Sequence, residues 1–95
     1  MKIEVTPRFE RDLKKAQKKH YPTEQFKEVI ELIETDSSES ESILTQRHKK
    51  HTLKGKWQGA FECHISNIGD WLLVWKDTDN SSILLRTGKH DDIFK

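Results

Sequence analysis

Polar and apolar residues alternate from Lys2 to Thr6, with Ile3 and Val5 sharing one side, the period of a short β-strand. Thr6-Pro7 then reads as a helix start, a hydroxyl cap followed by proline in the first turn. Phe9, Leu13 and Ala16 form a narrow apolar stripe on that helix. Tyr21-Pro22-Thr23 breaks it, because proline disfavours a helical residue before it. Phe26, Val29, Ile30, Leu32 and Ile33 recur at spacings of three, four and seven and predict a second helix. The two helices are expected to form an antiparallel hairpin.

From Thr35 to about Lys56 the periodicity fails. Asp36 to Ser42 is polar and of low complexity, so a mobile connection is expected, tacked down by a short helical turn at Ile43-Leu44. Three strands close the chain. Phe61, Cys63 and Ile65 point one way and Glu62, His64 and Ser66 the other. Asn67 to Asp70 is read as a turn, and Trp71 to Lys76 as an apolar central strand. Asp77 to Asn80 is a second turn, and Ser82 to Thr87 the last strand, before a tail ending at Phe94. Strand, helix, helix and a three-stranded meander predict a single α+β domain over 1–95, with helices on one sheet face. The other face is expected to carry His64 and Arg86. There are no internal repeats.

Ninety-five residues support one small domain with a modest core. Charged residues (35%) slightly outnumber hydrophobic ones (33%), but three tryptophans and four phenylalanines supply enough core material to fold. The formal net charge of +1 hides segregation. Arg11 to His20 holds five basic side chains and one acid, Asp12; Glu24 to Glu41 holds seven acids against Lys27; Ser42 to Ala60 holds five basic side chains and no acid. Each block alone fits a solvated face, whereas the basic block from Arg47 to Lys56 lies beside histidines, glycines and Trp57 and suggests a polyanion-facing surface. A single cysteine, Cys63, precludes an internal disulfide. With no apolar leader at Met1–Val5 and no segment of transmembrane length, a cytoplasmic setting is expected.

Two clusters concentrate the chemistry: His51 to Asp70, and Arg86-Thr87-Gly88-Lys89-His90. Metal-free RNA cleavage needs a base for the ribose 2′-hydroxyl and an acid for the departing 5′-oxygen. It also needs cations for the phosphorane and a surface that holds the strand in line. His51, His64, Asp70 and His90 are candidate proton-handling groups. Arg86, Lys50, Lys54 and Lys56 are candidate phosphate partners, and Trp57 and Phe94 candidate stacking surfaces. Each residue alone also has a bland reading: a structural histidine, a turn aspartate, a core tryptophan. Cys63 shares its face with Phe61 and Ile65 and reads as a buried, inert thiol. His48 and His51, with Cys63 and His64 nearby, raise a metal site as a rival. Cys63 and His64 face opposite sides of their strand, which argues against a shared ion.

The run His51-x-Leu53-x-Gly55-x-Trp57-x-Gly59, followed by His64, Asp70-Trp71, Arg86-Thr87-Gly88-x-His90 and Ile93-Phe94, resembles the YafQ branch of the RelE/ParE toxin superfamily. The likeness covers nearly the whole chain, with the specific part from His51 to Phe94. It implies a RelE-like, microbial RNase-like fold and a ribosome-dependent mRNA endonuclease, the toxin of a type II toxin–antitoxin pair. It further implies no metal or other cofactor, a 2′,3′-cyclic phosphate product, and mRNA on the ribosome and a DinJ/RelB-like antitoxin as partners. Carried onto this chain, the family's catalytic positions are His51, His64, Asp70, Arg86 and His90. His90 is expected as general acid, Asp70 assisted by His64 as general base, and Arg86 and His51 on the phosphate. The span from His64 to Asp70 is longer than the family's pattern, which sets His64 against Asp70 as the base. The polar Ser37–Ser42 stretch is atypical. The same fold hosts gyrase-directed toxins that cleave nothing, so a toxin that only binds RNA, the ribosome or gyrase stands as the alternative.

Overall fold

The computed structural model describes residues 1–66 and 70–94. Five strands make one mixed sheet: β1 (Lys2–Val5), β2 (His51–Thr52), β3 (Phe61–Ser66), β4 (Trp71–Asp77) and β5 (Ser81–Gly88), in the order β1-β5-β4-β3-β2. The C-terminal strands form the expected meander. β1 adds to it in parallel beside β5, with Ile3 opposite Ser82 and Val5 opposite Leu84. β2 is a two-residue edge strand, with His51 opposite Glu62. The expected turn over Asn67–Gly69, and its length, lie outside the described residues.

α1 (Pro7–Lys18) begins as the sequence predicts. Thr6 Oγ1 accepts from the Phe9 amide at 3.1 Å and donates to the Leu84 carbonyl at 3.1 Å, so one hydroxyl caps the helix and ties it to β5. α2 (Thr23–Thr35) ends where Asp36 takes a left-handed conformation and its amide bonds the Leu32 carbonyl. The stretch expected to be a mobile connection is instead a third helix, α3 (Ser38–Gln46). Its start is a reciprocal capping box: Ser37 Oγ accepts from the Ser40 amide at 3.0 Å, and Ser40 Oγ from the Ser37 amide at 2.8 Å. Apolar periodicity could not reveal a helix with one buried apolar anchor, Leu44; the serines that make the segment look featureless are its cap.

The sheet has an apolar cluster on each face. Phe9, Val29, Ile33, Leu44, Cys63, Ile65, Trp71, Leu73, Trp75 and Leu84 form the main core beneath α1–α3. Its rings are layered, with Phe9–Phe26 centroids 6.1 Å apart, Phe26–Trp71 5.7 Å and Tyr21–Trp71 5.2 Å. On the second face Ala60, Leu72, Val74 and Ile93 are buried, with Leu53, Trp57, Leu85 and Phe94 packed around them. A short C-terminal helix, α4 (His90–Phe94), and a 3-10 turn (Gly55–Trp57) supply its walls. Alternation along β3 holds for Phe61, Cys63 and Ile65, which reach the main core as expected, but the register with β4 shifts between His64 and Ser66, so that Ser66 opposes Trp71. β4, expected as an unbroken apolar run, alternates between the two clusters. Along β5 the alternation slips: Leu84 opposes Trp75 and Arg86 opposes Val74, leaving Leu85 as a bulge. Among the described residues no helix is long and apolar enough to cross a membrane.

Replacing Ser37 with alanine removes an N-cap acceptor and is expected to cost about 1 kcal/mol. For a domain this size that lowers the melting temperature by about 4–8 °C, which thermal denaturation followed by circular dichroism would read.

Candidate active site

The second face builds a cleft between β2, the 3-10 turn and α4. It encloses about 210 Å³ and is lined by His51, Leu53, Lys54, Trp57, Glu62, His90 and Phe94. Five residues expected at the site therefore meet here: His51, Lys54, Trp57, His90 and Phe94. The Trp57 and Phe94 rings meet edge-on at 5.7 Å, and the His90 ring lies 5.0 Å from Phe94. The two aromatics thus brace each other and α4. His90 is largely exposed, with Nδ1 3.8 Å from the Asp91 carboxylate.

His51 follows Lys49, whose backbone is left-handed (φ 57°), and is half exposed. Its Nδ1 lies 2.8 Å from the Lys49 carbonyl and its Nε2 3.3 Å from Glu62 Oε1. Both ring nitrogens therefore face oxygen atoms of other residues. Glu62 is buried, directly across from His51 in the β2–β3 pair. Sequence reasoning did not select it, although alternation placed it on the His64 face. A carboxylate at an inward position of an interior strand was the available signal.

His64 lies two pairs further along β3 than Glu62, opposite Leu72, and lines not the cleft but a separate cavity with Glu28, Arg47 and His48. Its backbone is held twice by His48: the His64 amide donates to the His48 carbonyl at 2.7 Å, and the His64 carbonyl lies 2.8 Å from His48 Nδ1. His48 is buried, with Nε2 3.8 Å from Glu28. The two histidines that raised the metal rival, His48 and His51, thus engage different partners. Among the described residues no three His, Cys, Asp or Glu side chains gather as a metal site. Asp70 is exposed, with φ 49°, just before β4.

Arg86 leaves β5 opposite Val74, but its guanidinium is bound at the sheet's flank. Nε donates to Asp12 Oδ2 at 2.7 Å, and Nη2 to Asp12 Oδ1 at 3.4 Å and to the Asp92 carbonyl at 3.2 Å. It lines a neighbouring cavity of about 180 Å³ between α1, β5 and α4, together with Arg8, Lys15 and Lys19. Gly88, at φ 150°, turns the chain from this strand end into α4. Lys56 is exposed on the 3-10 turn.

Lys50 requires a correction. Its ammonium sits 2.8 Å from Glu41 and 4.4 Å from the centre of the Phe61 ring, on the helix side of the sheet. An acidic partner and an aromatic face hold it there, away from the cleft.

The α+β scaffold thus carries a cleft with two histidines, a buried carboxylate and braced aromatics, beside a cavity lined largely by cations. The model of the YafQ family, described as the bacterial toxin of type II toxin–antitoxin systems, matches residues 1–95. The chain belongs to that family. It is 30% identical over 92 residues to the mRNA interferase toxin YafQ of Escherichia coli K12, covering 97% of this chain and 94% of that protein. The fold is similar to YafQ in the E. coli DinJ–YafQ toxin–antitoxin complex (TM-score 0.80, 32% identity, 98% and 96% of the two chains). It is also similar to a copper-bound mutant toxin from Helicobacter pylori (TM-score 0.86, 31% identity, 99% of both chains).

Cys63 is fully buried in the main core. Burial first, and then the Glu62 carboxylate, push its thiol far above the usual range, with Lys50 opposing. A raised folded-state value means that the native protein keeps the proton while the unfolded chain releases it above about pH 9. Stability from this group is therefore complete below that pH and falls above it by about 1.4 kcal/mol per pH unit. Denaturant unfolding at pH 8 and pH 10 should show a steeper loss for the native sequence than for Cys63→Ala.

Proposed function

We propose that this toxin is an mRNA interferase: a ribosome-dependent endoribonuclease that cuts the strand by metal-free attack of the ribose 2′-hydroxyl. The observation that carries the reading is the convergence of His51 and His90, from opposite ends of the functional stretch, on one cleft with Lys54, Trp57 and Phe94. The identity to curated mRNA interferases supports it.

In the proposed reaction a base takes the proton of the 2′-hydroxyl, and the freed oxygen bonds to phosphorus. The bond from phosphorus to the 5′-oxygen breaks, and His90 protonates the leaving oxygen. The products are a 2′,3′-cyclic phosphate and a 5′-hydroxyl. His90, exposed at the mouth of the cleft, has the access that a general acid needs. Asp70 assisted by His64 serves as base, and His64 alone is the other candidate. His51, directed by Glu62, and Arg86 stabilise the charge on the phosphorane. Lys54 and Lys56 attract the backbone, and Trp57 and Phe94 offer ring edges and faces to bases. Lys50 has no part in this surface.

The natural partner is a cognate antitoxin of the DinJ kind, as in the complex of the E. coli relative. An acidic segment that folds on binding would mask a cationic cleft. Work on translating ribosomes would place the protein in the cytoplasm.

His90→Ala should lower mRNA cleavage by about 10²–10⁴-fold while ribosome binding persists. The measurement is cleavage in a reconstituted translation system, using protein stripped with EDTA before magnesium is restored for the ribosomes. Equal cleavage by the variant would remove His90 as the acid. Growth arrest without cleavage by the native protein would favour the binding-only alternative. Cleavage lost on stripping and restored by a transition metal would overturn the metal-free route.

A further inference from the structure

We propose that Asp12 is a positioning residue for the cleavage reaction, holding the Arg86 guanidinium and the end of β5 in their working geometry. The inference rests on the reading of Arg86 as the phosphate-stabilising residue, and deepens it.

Asp12 is the one acid in a stretch, Arg11 to His20, that otherwise carries five basic side chains. It is also buried there, its side chain 6% exposed, on the face that α1 turns to the sheet. A surface acid in a basic block would merely moderate charge. A buried one must be matched by donors, and the donors come from β5. Oδ2 accepts from Arg86 Nε at 2.7 Å and from the Thr87 amide at 3.2 Å; Oδ1 accepts from Arg86 Nη2 at 3.4 Å. Arg8 approaches the same carboxylate at 3.6 Å.

This arrangement fixes both ends of what the reaction needs. A guanidinium has five N–H donors. The Asp12 and Asp92 bonds occupy the one on Nε and both on Nη2, which sets the plane and leaves the Nη1 pair for a phosphate. The Thr87 amide is held by the same carboxylate, and Thr87 Oγ1 is held in turn, accepting from Trp71 Nε1 at 2.6 Å and donating to the Leu72 carbonyl at 2.7 Å. From Thr87 the chain passes through Gly88 to α4, which carries His90. Arg86 is paired in the ladder opposite Val74, next to the bulge at Leu85, yet its guanidinium is held from outside the sheet. Asp12 is the tether, and it reaches Arg86 from 74 residues away in sequence.

The test is a double-mutant cycle on mRNA cleavage with Asp12→Ala, Asp12→Asn, Arg86→Ala and Asp12→Ala/Arg86→Ala, each checked by thermal melting. Asp12→Ala should lower kcat by about 10²-fold with KM changed little, because the carboxylate aims a group without touching the strand. Asp12→Asn, which keeps the shape and one acceptor, should recover part of that loss and melt near the native protein. In the Arg86→Ala background the loss of Asp12 should cost nothing further. An equal, additive loss in both backgrounds would mean a purely structural role and overturn the inference. So would native kcat in both folded Asp12 variants while Arg86→Ala is impaired. Native cleavage by Arg86→Ala itself would instead overturn the reading of Arg86 on which the inference rests.

Discussion

β5 is the seam on which the molecule depends. It pairs in parallel with β1 on one side and antiparallel with β4 on the other, so it joins the two ends of the chain. α1 is tied to it at Thr6 and again at Asp12, bonds that span more than seventy residues of sequence. Its bulge, its bound Thr87 and the turn at Gly88 then set where α4 begins. A domain of 95 residues has little core to spare for locating a functional group. Here the strand next to β1 also carries Arg86 and leads into α4 with His90, so the placement of these proposed site residues and the stability of the fold share the same contacts.

The charge segregation acquires a physical meaning from the same architecture. The acidic block on α2 and α3 is spent in part on nearby cations: Glu28 binds Arg47 and Glu41 binds Lys50. Both pairs involve exposed partners, and such pairs contribute little stability. Their consequence is spatial. They draw two cations of the Arg47–Lys56 block toward the helices, whereas Lys54 lines the cleft and Lys56 sits exposed on the adjacent turn. A net charge near zero is thus compatible with a local cationic surface on one face.

The fold class, the first two helices and the core-facing side of β3 are legible because each rests on a repeated apolar period, and β4 because it is an unbroken apolar run between turn residues. α3 is not, since its start is decided by two serine hydroxyls and its packing by little more than Leu44. The parallel β1–β5 pairing is not, because nothing local in Lys2–Val5 names a partner as distant in sequence as Ser81–Leu84. Among the site residues, those brought together on the cleft came from a motif whose spacing follows the turn and strand that carry them. Lys50 was misplaced because basic side chains in one block go to different faces when the backbone turns at Lys49. The burial of Glu62 and Asp12 is not legible in the sequence, for a common reason. A buried carboxylate looks in sequence like any surface acid, and only its donors, supplied from other elements, reveal it.

Those two carboxylates pose the electrostatic question of the site. Each stands against a cation-capable group assigned to the phosphate, Glu62 against His51 and Asp12 against Arg86. A carboxylate so placed reduces the net field at the phosphate, which by itself would weaken stabilisation of a dianionic phosphorane. The compensation is order. A free arginine or histidine has to settle its rotamer and shed its solvent as the charge develops, whereas a group already bonded on one side presents its remaining donors without that reorganisation. Arg86 is held on three donors and keeps two; His51 faces acceptors with both ring nitrogens, so what it brings to the site is a fixed ring position rather than a free donor. Trading field strength for fixed direction suits a small protein whose site lies on the rim of its sheet, where few other contacts could hold a side chain still.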